Sequence, residues 1–256
     1  MGRQAIGLFW MNQKKNILVV GASGAIGSAL VRQVAGADVQ IGLHYCHNRE
    51  QVEVLKRDIS SIGCESVLFQ SFLDSECACS DFAEAVIKQF GRTYAVVLCG
   101  GRIDWTPWQQ LDESKWQQTF FEHCVAPFTV IQKLLPSMRS EHGARIIYLS
   151  SISPKYGGSV KTLHYAAAKA ALETAMYGLS RQLCKDGIRI NGVRAGFVDT
   201  PLQREGRSPE ELAERIAKIP VGRAGRPEEI ASAMAYLLTE KAGFIHGEIV
   251  AVAGGD

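Results

Sequence analysis

The sequence predicts a single α/β domain in which a doubly wound parallel sheet is flanked by helices. Short, continuous apolar runs alternate along the chain with segments of helical periodicity, and neither a Pro/Gly/Ser-rich linker nor a repeat interrupts them. Apolar runs of this kind are typical of strands that are covered on both faces. Strands that alternate with helices favour a parallel sheet, and 256 residues are enough for one such domain with a substantial core.

Composition and charge argue against several other classes of protein. The chain is 46% hydrophobic and 21% charged, which is ordinary for a soluble globular protein. A net charge of +2 without a long basic run argues against a nucleic-acid partner. The seven cysteines are scattered, and Cys77 and Cys79 are too close together for a zinc site, so we predict no metal. The odd cysteine count, without a signal peptide, favours a reduced, cytoplasmic setting.

The first residues are predicted to form a flexible extension, residues 1–14, ahead of a domain at residues 15–256. The apolar patch at residues 6–10 is too short to span a membrane, so we expect no membrane partner. Met11 immediately precedes the polar residues before the first strand, and it is a candidate for the natural start.

The first predicted strand, residues 16–20, leads into a glycine-rich turn. Gly21, Gly24 and Gly27 separate this strand from a segment of helical periodicity. Glycines at such a junction let the backbone turn tightly and approach a pyrophosphate, whose charge is favourable at the N-terminus of the next helix. The pattern predicts a dinucleotide-binding loop, and the alternative is a purely structural turn.

The end of the second predicted strand, residues 39–43, bears on the choice of cofactor. A cofactor with a free ribose 2′-hydroxyl usually meets an acidic residue about 20 residues beyond the glycine loop. No acid occurs in this neighbourhood until Glu50. The candidate cofactor-binding side chains here are instead imidazoles, an amide and a guanidinium: His44, His47, Asn48 and Arg49.

Arg49 is central to this prediction. An arginine at a helix start suits a 2′-phosphate, because the guanidinium can form paired hydrogen bonds with phosphate oxygens. Asn48 is predicted to cap that helix, with Gln51 completing a capping box. These residues favour NADP(H) over NAD(H). The alternative is that Arg49 merely caps a solvated helix face.

The central part of the chain continues the alternation. Strands are predicted at residues 66–73 and 95–98, with a helix at residues 81–90 between them. The second of these strands ends in Cys99 and Gly100, where small residues would let the chain pass close to a ligand.

A further helix is predicted to open at Asp112. Its predicted buried stripe consists of aromatic residues and a cysteine: Trp116, Phe120, Phe121 and Cys124. His123 lies on the same helix and is a candidate polar group near the site, with a structural role as the alternative.

The fifth predicted strand, residues 145–149, leads to Ser150 and Ser151 at its C-terminal end. Ligands of open parallel sheets bind beyond the carboxyl ends of the strands, so a serine here is well placed to donate a hydrogen bond to a substrate oxygen. Strands are also predicted at residues 188–193 and 248–252, and Ser208 begins a capping box.

Tyr165 and Lys169 are four residues apart in an alanine-rich run with strong helix propensity. Their side chains should therefore project from one helix face, about one turn apart. A neighbouring ammonium favours the phenolate, so Lys169 is expected to lower the pKa of Tyr165. The pair predicts a proton-transfer centre, and the alternative is an exposed helix face.

Together these features resemble the short-chain dehydrogenase/reductase family, in particular its 3-oxoacyl-reductase-like branch. The resemblance covers nearly everything after Lys15. It is carried by the glycine loop, by Ser151 fourteen residues before Tyr165, by the Tyr165/Lys169 pair, and by residues 189–200, 222–231, 247 and 254–255.

The resemblance implies a Rossmann-type fold and hydride transfer between a nicotinamide and a carbonyl or alcohol carbon. It implies that Tyr165 is the general acid in reduction, that Lys169 lowers its pKa and holds the nicotinamide ribose, and that Ser151 orients the reacting oxygen. It also implies a homo-oligomer, a tetramer or a dimer. Besides Tyr165 and Lys169, the cofactor contacts that it implies are Gly21, Ser23, Gly24, Ile26, Gly27, Gly100, Gly196, Val198 and Thr200.

The chain also departs from the family pattern. His123 occupies the position of an asparagine that helps to organise a proton relay to the lysine. Because histidine ordinarily titrates near ~6.5, His123 could serve that relay, alter its pH dependence, or indicate that catalysis is slow or lost. Four other differences are local. Ala25 stands where the family usually has the second glycine of the loop, and Phe72 stands where an acidic residue usually contacts the adenine. Residues 98–101, Leu-Cys-Gly-Gly, replace the usual Asn-Asn-Ala-Gly, and Ala195 replaces a usual proline.

The predicted function is an NADP(H)-dependent oxidoreductase that acts on a small carbonyl or alcohol substrate, with a 3-oxoacyl thioester as one candidate. The alternative is a catalytically weak NADP(H)-binding sensor or accessory protein. Residues 202–218 are predicted to form a lid over the substrate, where Arg204 or Arg207 could meet an anionic group unless the segment is only a solvated loop. Trp105 and Trp108 could wall an apolar pocket or pack against the neighbouring helix.

Overall fold

The computed structural model describes residues 14–139, 141 and 143–256. The predicted N-terminal extension lies outside the described residues, apart from Lys14. The first strand begins immediately afterwards, at Lys15.

In the described residues, seven parallel strands form one sheet in the order β3-β2-β1-β4-β5-β6-β7. The order reverses between β1 and β4, which is the arrangement of a doubly wound Rossmann-type fold. The predicted fold class is therefore confirmed. The strands are β1 (Lys15–Val20), β2 (Val39–Tyr45), β3 (Glu65–Gln70), β4 (Ala95–Leu98), β5 (Arg145–Ser151), β6 (Arg189–Ala195) and β7 (Ile249–Val252).

Helices connect successive strands and cover both faces of the sheet. None of the helices in the described part of the chain is long and apolar enough to cross a membrane. The α-helices are α1 (Ala25–Val34), α2 (Arg49–Ser60), α3 (Glu76–Phe90), α4 (Glu113–Phe120), α5 (Ala126–Arg139), α6 (Ser153–Tyr156), α7 (Leu163–Leu183), α8 (Pro201–Glu205), α9 (Pro209–Ala217) and α10 (Pro227–Leu238). A π-helical stretch lies at Phe121–Val125, and short 3-10 turns lie at Trp108–Gln110, Cys184–Asp186 and Glu240–Ala242.

Strand β1 shows why its apolar run is continuous. Ile17 and Val19 belong to the core cluster on one face of the sheet, whereas Leu18 and Val20 belong to the cluster on the other. Successive side chains of a strand point to opposite faces, so both sets must be apolar when both faces are covered. The helix layers thus explain the pattern that predicted the fold.

Helix α3 begins earlier than the predicted residues 81–90, and β3 ends earlier than the predicted residue 73. The hydroxyl of Ser75 accepts a hydrogen bond from the N–H of Ala78 at 3.2 Å and caps the helix. A serine cap satisfies a backbone donor that would otherwise lack a partner. Ser75 was the start signal that the prediction missed.

The predicted buried stripe of the helix after Asp112 is wrong in its register. Trp116, Phe120, Phe121 and Cys124 are only half-buried, whereas Thr119 and His123 are fully buried. The π-helical stretch Phe121–Val125 widens one turn. Because a wider turn changes which residues share a face, a period of 3.6 residues cannot be continued through it.

The two predicted capping boxes have different outcomes. Ser208 has an extended backbone, its hydroxyl accepts a hydrogen bond from the N–H of Glu211, and its own N–H donates to the Glu211 carboxylate, which confirms that box. Asn48 has φ −85° and ψ 65° and makes no side-chain cap, so the box with Gln51 is wrong. The backbone before α2 is not in the extended conformation that directs a cap side chain at the helix.

Candidate active site

The C-terminal ends of the central strands bring the predicted motifs to one edge of the sheet. The glycine loop follows β1, the Cys99–Gly101 segment follows β4, and Ser151 ends β5. The segment after β6 begins at Gly196, whose N–H donates to Val252 at 3.0 Å. This edge at a reversal of strand order is where doubly wound folds bind ligands.

The glycine loop touches the segment after β4. Gly21 has φ +82°, and a Cβ placed there would lie 2.6 Å from Cα of Gly100. A Cβ on Gly27 would collide with the Gly21 carbonyl. Both positions therefore require glycine because backbone meets backbone.

The start of α1 fits a pyrophosphate. Gly24 is the N-cap residue, is exposed, and has no side chain to cap the helix. The first N–H groups of α1 are thus available to an anionic ligand, and Ser23 and Ile26 lie in the same turn.

His44 lies beneath this loop and supports it. The N–H of Gly21 donates to His44 Nδ1 at 3.1 Å, and His44 Nε2 donates to the Ser71 carbonyl at 3.1 Å. The side chain is buried, and burial lowers the pKa of His44 to about 4, so the ring is neutral. Both ring nitrogens are occupied by backbone groups, which differs from the predicted direct contact between His44 and the cofactor.

The predicted 2′-phosphate residues are exposed at the start of α2. His47, Asn48 and Arg49 all face solvent. The Nε of Arg49 donates to Glu53 at 2.8 Å, and the His47 ring packs edge-on against Phe72 with centroids 4.8 Å apart. The terminal amino groups of a guanidinium bonded through Nε can still reach a phosphate.

Ser151 and Tyr165 meet at the end of β5. The Ser151 hydroxyl accepts from the N–H of Ser153 and donates to the Ser153 hydroxyl, each at 3.1 Å. Burial raises the pKa of Tyr165 to about 12, and a hydrogen bond with Ser151 opposes that rise. Tyr165 is therefore a neutral phenol around neutral pH, which is the form that can donate a proton.

Lys169 is buried one helical turn from Tyr165. Its Nζ donates to the Leu149 carbonyl at 2.9 Å and lies 5.8 Å from the centroid of the Tyr165 ring. Burial lowers the pKa of Lys169 to about 8. The expected lowering of the Tyr165 pKa is wrong for the free protein, because desolvation of the phenolate dominates while the ammonium is bonded to Leu149.

His123 lies directly against the Tyr165 ring, with centroids 4.9 Å apart in an edge-to-face arrangement. Its Nε2 donates to the Arg102 carbonyl at 2.7 Å, while Nδ1 is buried and lacks a partner among the described residues. Burial, with a contribution from Lys169, lowers the pKa of His123 to about 3. The ring is neutral at physiological pH, so the expected titration near 6.5 is wrong in this environment.

Gly101 explains how an imidazole fits here. It has φ +134°, and a Cβ on it would lie 2.8 Å from His123 Nδ1. The small residues after β4 therefore make room for the histidine ring as well as for the glycine loop. That His123 stands in place of a family asparagine remains a prediction.

A half-buried ion pair, Arg194–Glu173, lies next to Lys169, and the sequence did not predict it. Ser150 Oγ donates to Glu173 at 2.7 Å, and Arg194 donates two hydrogen bonds to the same carboxylate at 2.8 and 2.6 Å. Glu173 is one turn beyond Lys169, and its charge opposes the fall in the pKa of Lys169. A glutamate four residues after Lys169 was the available signal, but its partner on β6 could not be identified locally.

The segment after β6 adds the remaining predicted cofactor contacts. Val198 pairs with Gly225 in an isolated parallel bridge, and Thr200 is buried immediately before α8. Gly196 packs so closely against Ala253 that a Cβ on it would lie 2.6 Å from Cα of Ala253.

Two cavities flank this group of residues. One, of about 250 Å³, is lined by residues including Asp104, Trp105 and His123. The second, of about 370 Å³, lies between residues 152–162 and the segment that contains α9.

Comparisons with known proteins identify the family to which the chain belongs. A family model described as Enoyl-(Acyl carrier protein) reductase matches residues 21–256. The chain is 33% identical over 242 residues to the Uncharacterized oxidoreductase YmfI of Bacillus subtilis (strain 168), covering 94% of this chain and 98% of that protein. It is 28% identical over 243 residues to the 3-oxoacyl-(acyl-carrier-protein) reductase FabG of Aggregatibacter actinomycetemcomitans, covering 94% of this chain and 98% of that protein.

A short-chain dehydrogenase/reductase from Serratia marcescens has the same fold, with a TM-score of 0.87 at 24% identity over 95% of this chain and 98% of that one. The chain therefore belongs to the short-chain dehydrogenase/reductase family. It is an oxidoreductase of that family.

Proposed function

We propose that this protein is an NADP(H)-dependent reductase of ketones, including 3-oxoacyl thioesters, with Tyr165 as its general acid. The arrangement of Ser151, Tyr165 and Lys169 beside the glycine loop carries the proposal. The likeness to a 3-oxoacyl reductase supports the substrate class. The relatives reported above are named as an oxidoreductase and a reductase, which favours an enzyme over a cofactor sensor.

The chain's own residues account for the proton. The hydroxyls of Ser151 and Tyr165 hold the substrate oxygen, and the protonated phenol transfers its proton to that oxygen during reduction. The bound nicotinamide would supply the hydride. The phenolate that remains is stabilised by the Lys169 ammonium, which keeps most of its proton at neutral pH because its pKa is about 8.

The cofactor is held along the same edge of the sheet. Residues 21–27 and the start of α1 bind the pyrophosphate, with Gly100 beneath it, while Gly196, Val198 and Thr200 adjoin the nicotinamide end. His47, Asn48 and Arg49 bind the 2′-phosphate. His44 acts on the cofactor through its hydrogen bond to Gly21.

The enzyme is also proposed to be a homo-oligomer, a tetramer or a dimer. Val125, Phe128 and Tyr177 are large apolar side chains that are 44%, 36% and 54% exposed, and such side chains suit a subunit interface. Light scattering coupled to size-exclusion chromatography measures the mass in solution, and a monomer at micromolar concentration would contradict the assignment. A cytoplasmic location also remains a prediction.

The direct test of activity mixes the protein with NADPH and a panel of ketones and 3-oxoacyl thioesters, and follows the loss of dihydronicotinamide absorbance. Turnover of at least one carbonyl substrate is expected. Measurable NADPH binding without turnover of any member would overturn the proposal in favour of the sensor.

Cofactor choice is tested by Arg49→Ala. Losing a paired phosphate contact should raise KM for NADPH by about 10- to 100-fold and leave KM for NADH nearly unchanged. Arg57→Ala is the matched control, since Arg57 is also exposed on α2. Equal effects of Arg49→Ala on both cofactors would refute the 2′-phosphate assignment.

A further inference from the structure

The second cavity offers an argument about the substrate, and this argument rests on the proposed reductase function. We define the substrate cleft as the cavity of about 370 Å³ whose walls include Ser153, Tyr156, Trp105 and Arg207. Ser153 hydrogen-bonds Ser151, so the cleft adjoins the proposed reaction centre. Its outer wall comes from α9 and the turn before it.

Arg207 is held in this wall by aromatic rings. Its guanidinium lies 4.5 Å from the centroid of the Trp105 ring and 5.4 Å from that of Phe197. A guanidinium that stacks by its face on an aromatic ring keeps its N–H donors in the plane, where they can bind an oxyanion in a paired fashion. Gly206 allows this packing, because a Cβ there would collide with the Trp105 ring.

Two neighbouring cations of the cleft are already neutralised. Lys161 pairs with Glu211 at 3.3 Å, and Arg215 pairs with Asp256. Arg207 donates only to the neutral side-chain oxygen of Gln203 and forms no ion pair with any described residue. The carboxylates of Glu211 and Glu214 also line the cleft, but among the described residues neither forms a hydrogen bond or an ion pair with Arg207. The half-buried charge of Arg207 therefore has no carboxylate in direct contact with it.

Two further observations point to a missing acceptor. Burial, together with the nearby charge of Arg215, lowers the pKa of Arg207, and the charge of Glu211 opposes that fall. The indole N–H of Trp105, a residue that lines both cavities, is buried and has no acceptor among the residues that the structure describes. Buried donors and charges are ordinarily matched, and an anionic ligand in the cleft would match the guanidinium of Arg207.

We propose that Arg207 is a specificity-determining residue that selects carbonyl substrates bearing an oxyanion, either a carboxylate or a phosphate. The anion forms paired hydrogen bonds with the in-plane donors of Arg207 while the carbonyl oxygen faces Ser151 and Tyr165. A neutral substrate enters the same cleft and leaves the guanidinium unmatched. The selection therefore appears in the KM for the anionic substrate.

Matched substrate pairs separate this role from the chemistry. With NADPH present, the full chain is assayed on 3-oxobutanoate against its methyl ester, and on the coenzyme A thioester of 3-oxobutanoate against the uncharged N-acetylcysteamine thioester. The first pair tests a carboxylate near the carbonyl, and the second tests phosphates farther away. Arg207→Gln should raise KM about 10- to 100-fold for the anionic member of one pair and change it less than about threefold for the neutral member.

Arg204→Gln is the matched control. Arg204 lies on α8, is 60% exposed by side chain, and pairs with Asp199, so its replacement should leave both members of each pair unchanged. Arg207→Lys keeps the positive charge but loses the paired hydrogen-bond geometry. Its KM for the anionic substrate should therefore lie between the values for the unaltered chain and for Arg207→Gln. Unfolding temperatures of all three variants show whether the fold is retained.

The outcomes distinguish the two proposals. If the neutral substrates turn over and Arg207→Gln changes both members of each pair equally, the anion selection is wrong and the reductase function stands. If no substrate turns over, the reductase function fails, and calorimetry decides the anion selection separately. In that titration 3-hydroxybutanoate should bind the NADP⁺-loaded protein, whereas its methyl ester should not. Arg207→Gln should weaken the binding of 3-hydroxybutanoate by about 10-fold or more. Equal binding by Arg207→Gln and the unaltered chain would reject the anion selection.

Discussion

The cofactor side and the catalytic side of the site each contain a buried histidine, and the two histidines differ in how fully they are hydrogen-bonded. His44 uses both ring nitrogens, one toward Gly21 and the other toward Ser71. His123 uses one nitrogen, and its Nδ1 is unpartnered within the described residues while its ring contacts Tyr165. Burial and a lowered pKa are common to both. A free nitrogen beside a reacting group, rather than burial alone, separates a candidate for chemistry from a structural support.

The largest effect is expected on the catalytic side. Tyr165→Phe removes the proton donor and keeps the ring that packs on His123, so turnover should fall by about 10²- to 10⁴-fold. NADPH affinity should stay within about twofold, because the glycine loop is untouched. Steady-state kinetics and a binding titration measure the two quantities. Retained turnover would mean that the Tyr165 helix is not the active site.

A smaller effect is expected on stability, and there the two histidines should differ. His44→Leu leaves the Gly21 N–H and the Ser71 carbonyl without their partner, which should lower the free energy of unfolding by roughly 2–4 kcal/mol. His123→Asn can retain a donor toward Arg102 and should cost about 1–2 kcal/mol. Urea unfolding measures both variants. A His123→Asn loss as large as that of His44→Leu would remove the distinction between the two sides.

The pH dependence of stability gives the most specific test. The unfolded chain takes up protons on histidine near pH 6.5, whereas folded His44 and His123 resist protonation until about pH 4 and about pH 3. The free energy of unfolding should therefore fall as pH is lowered from about 6.5 toward 4, by up to about 1.4 kcal/mol per pH unit for each histidine.

His123→Asn removes one of these two contributions and should make the fall shallower across the same interval. Urea unfolding at several pH values between 4.5 and 7.5 measures the slope. An identical slope for the variant and the unaltered chain would show that His123 has the same pKa in the folded protein as in the unfolded chain, so that burial does not lower it.

The glycine loop, Ser151 and the Tyr165/Lys169 pair were predictable because each depends on a local pattern. A glycine at a strand-to-helix junction and two residues four apart on a helix need no knowledge of distant parts of the chain. The helix after Asp112 shows the limit of such reasoning. Its buried face depends on the π-helical stretch at residues 121–125, and the surrounding core determines whether that extra width is tolerated.

The sequence by itself determined the alternation of strands and helices, the doubly wound sheet and the residues that meet at its edge, because strand burial and glycine turns are encoded in neighbouring residues. Only the tertiary structure decided the protonation of the site. Tyr165, Lys169 and His123 have shifted pKa values because other elements exclude water from them. The stacking of Arg207 on Trp105 likewise joins residues about a hundred positions apart, and such contacts arise only when the chain folds.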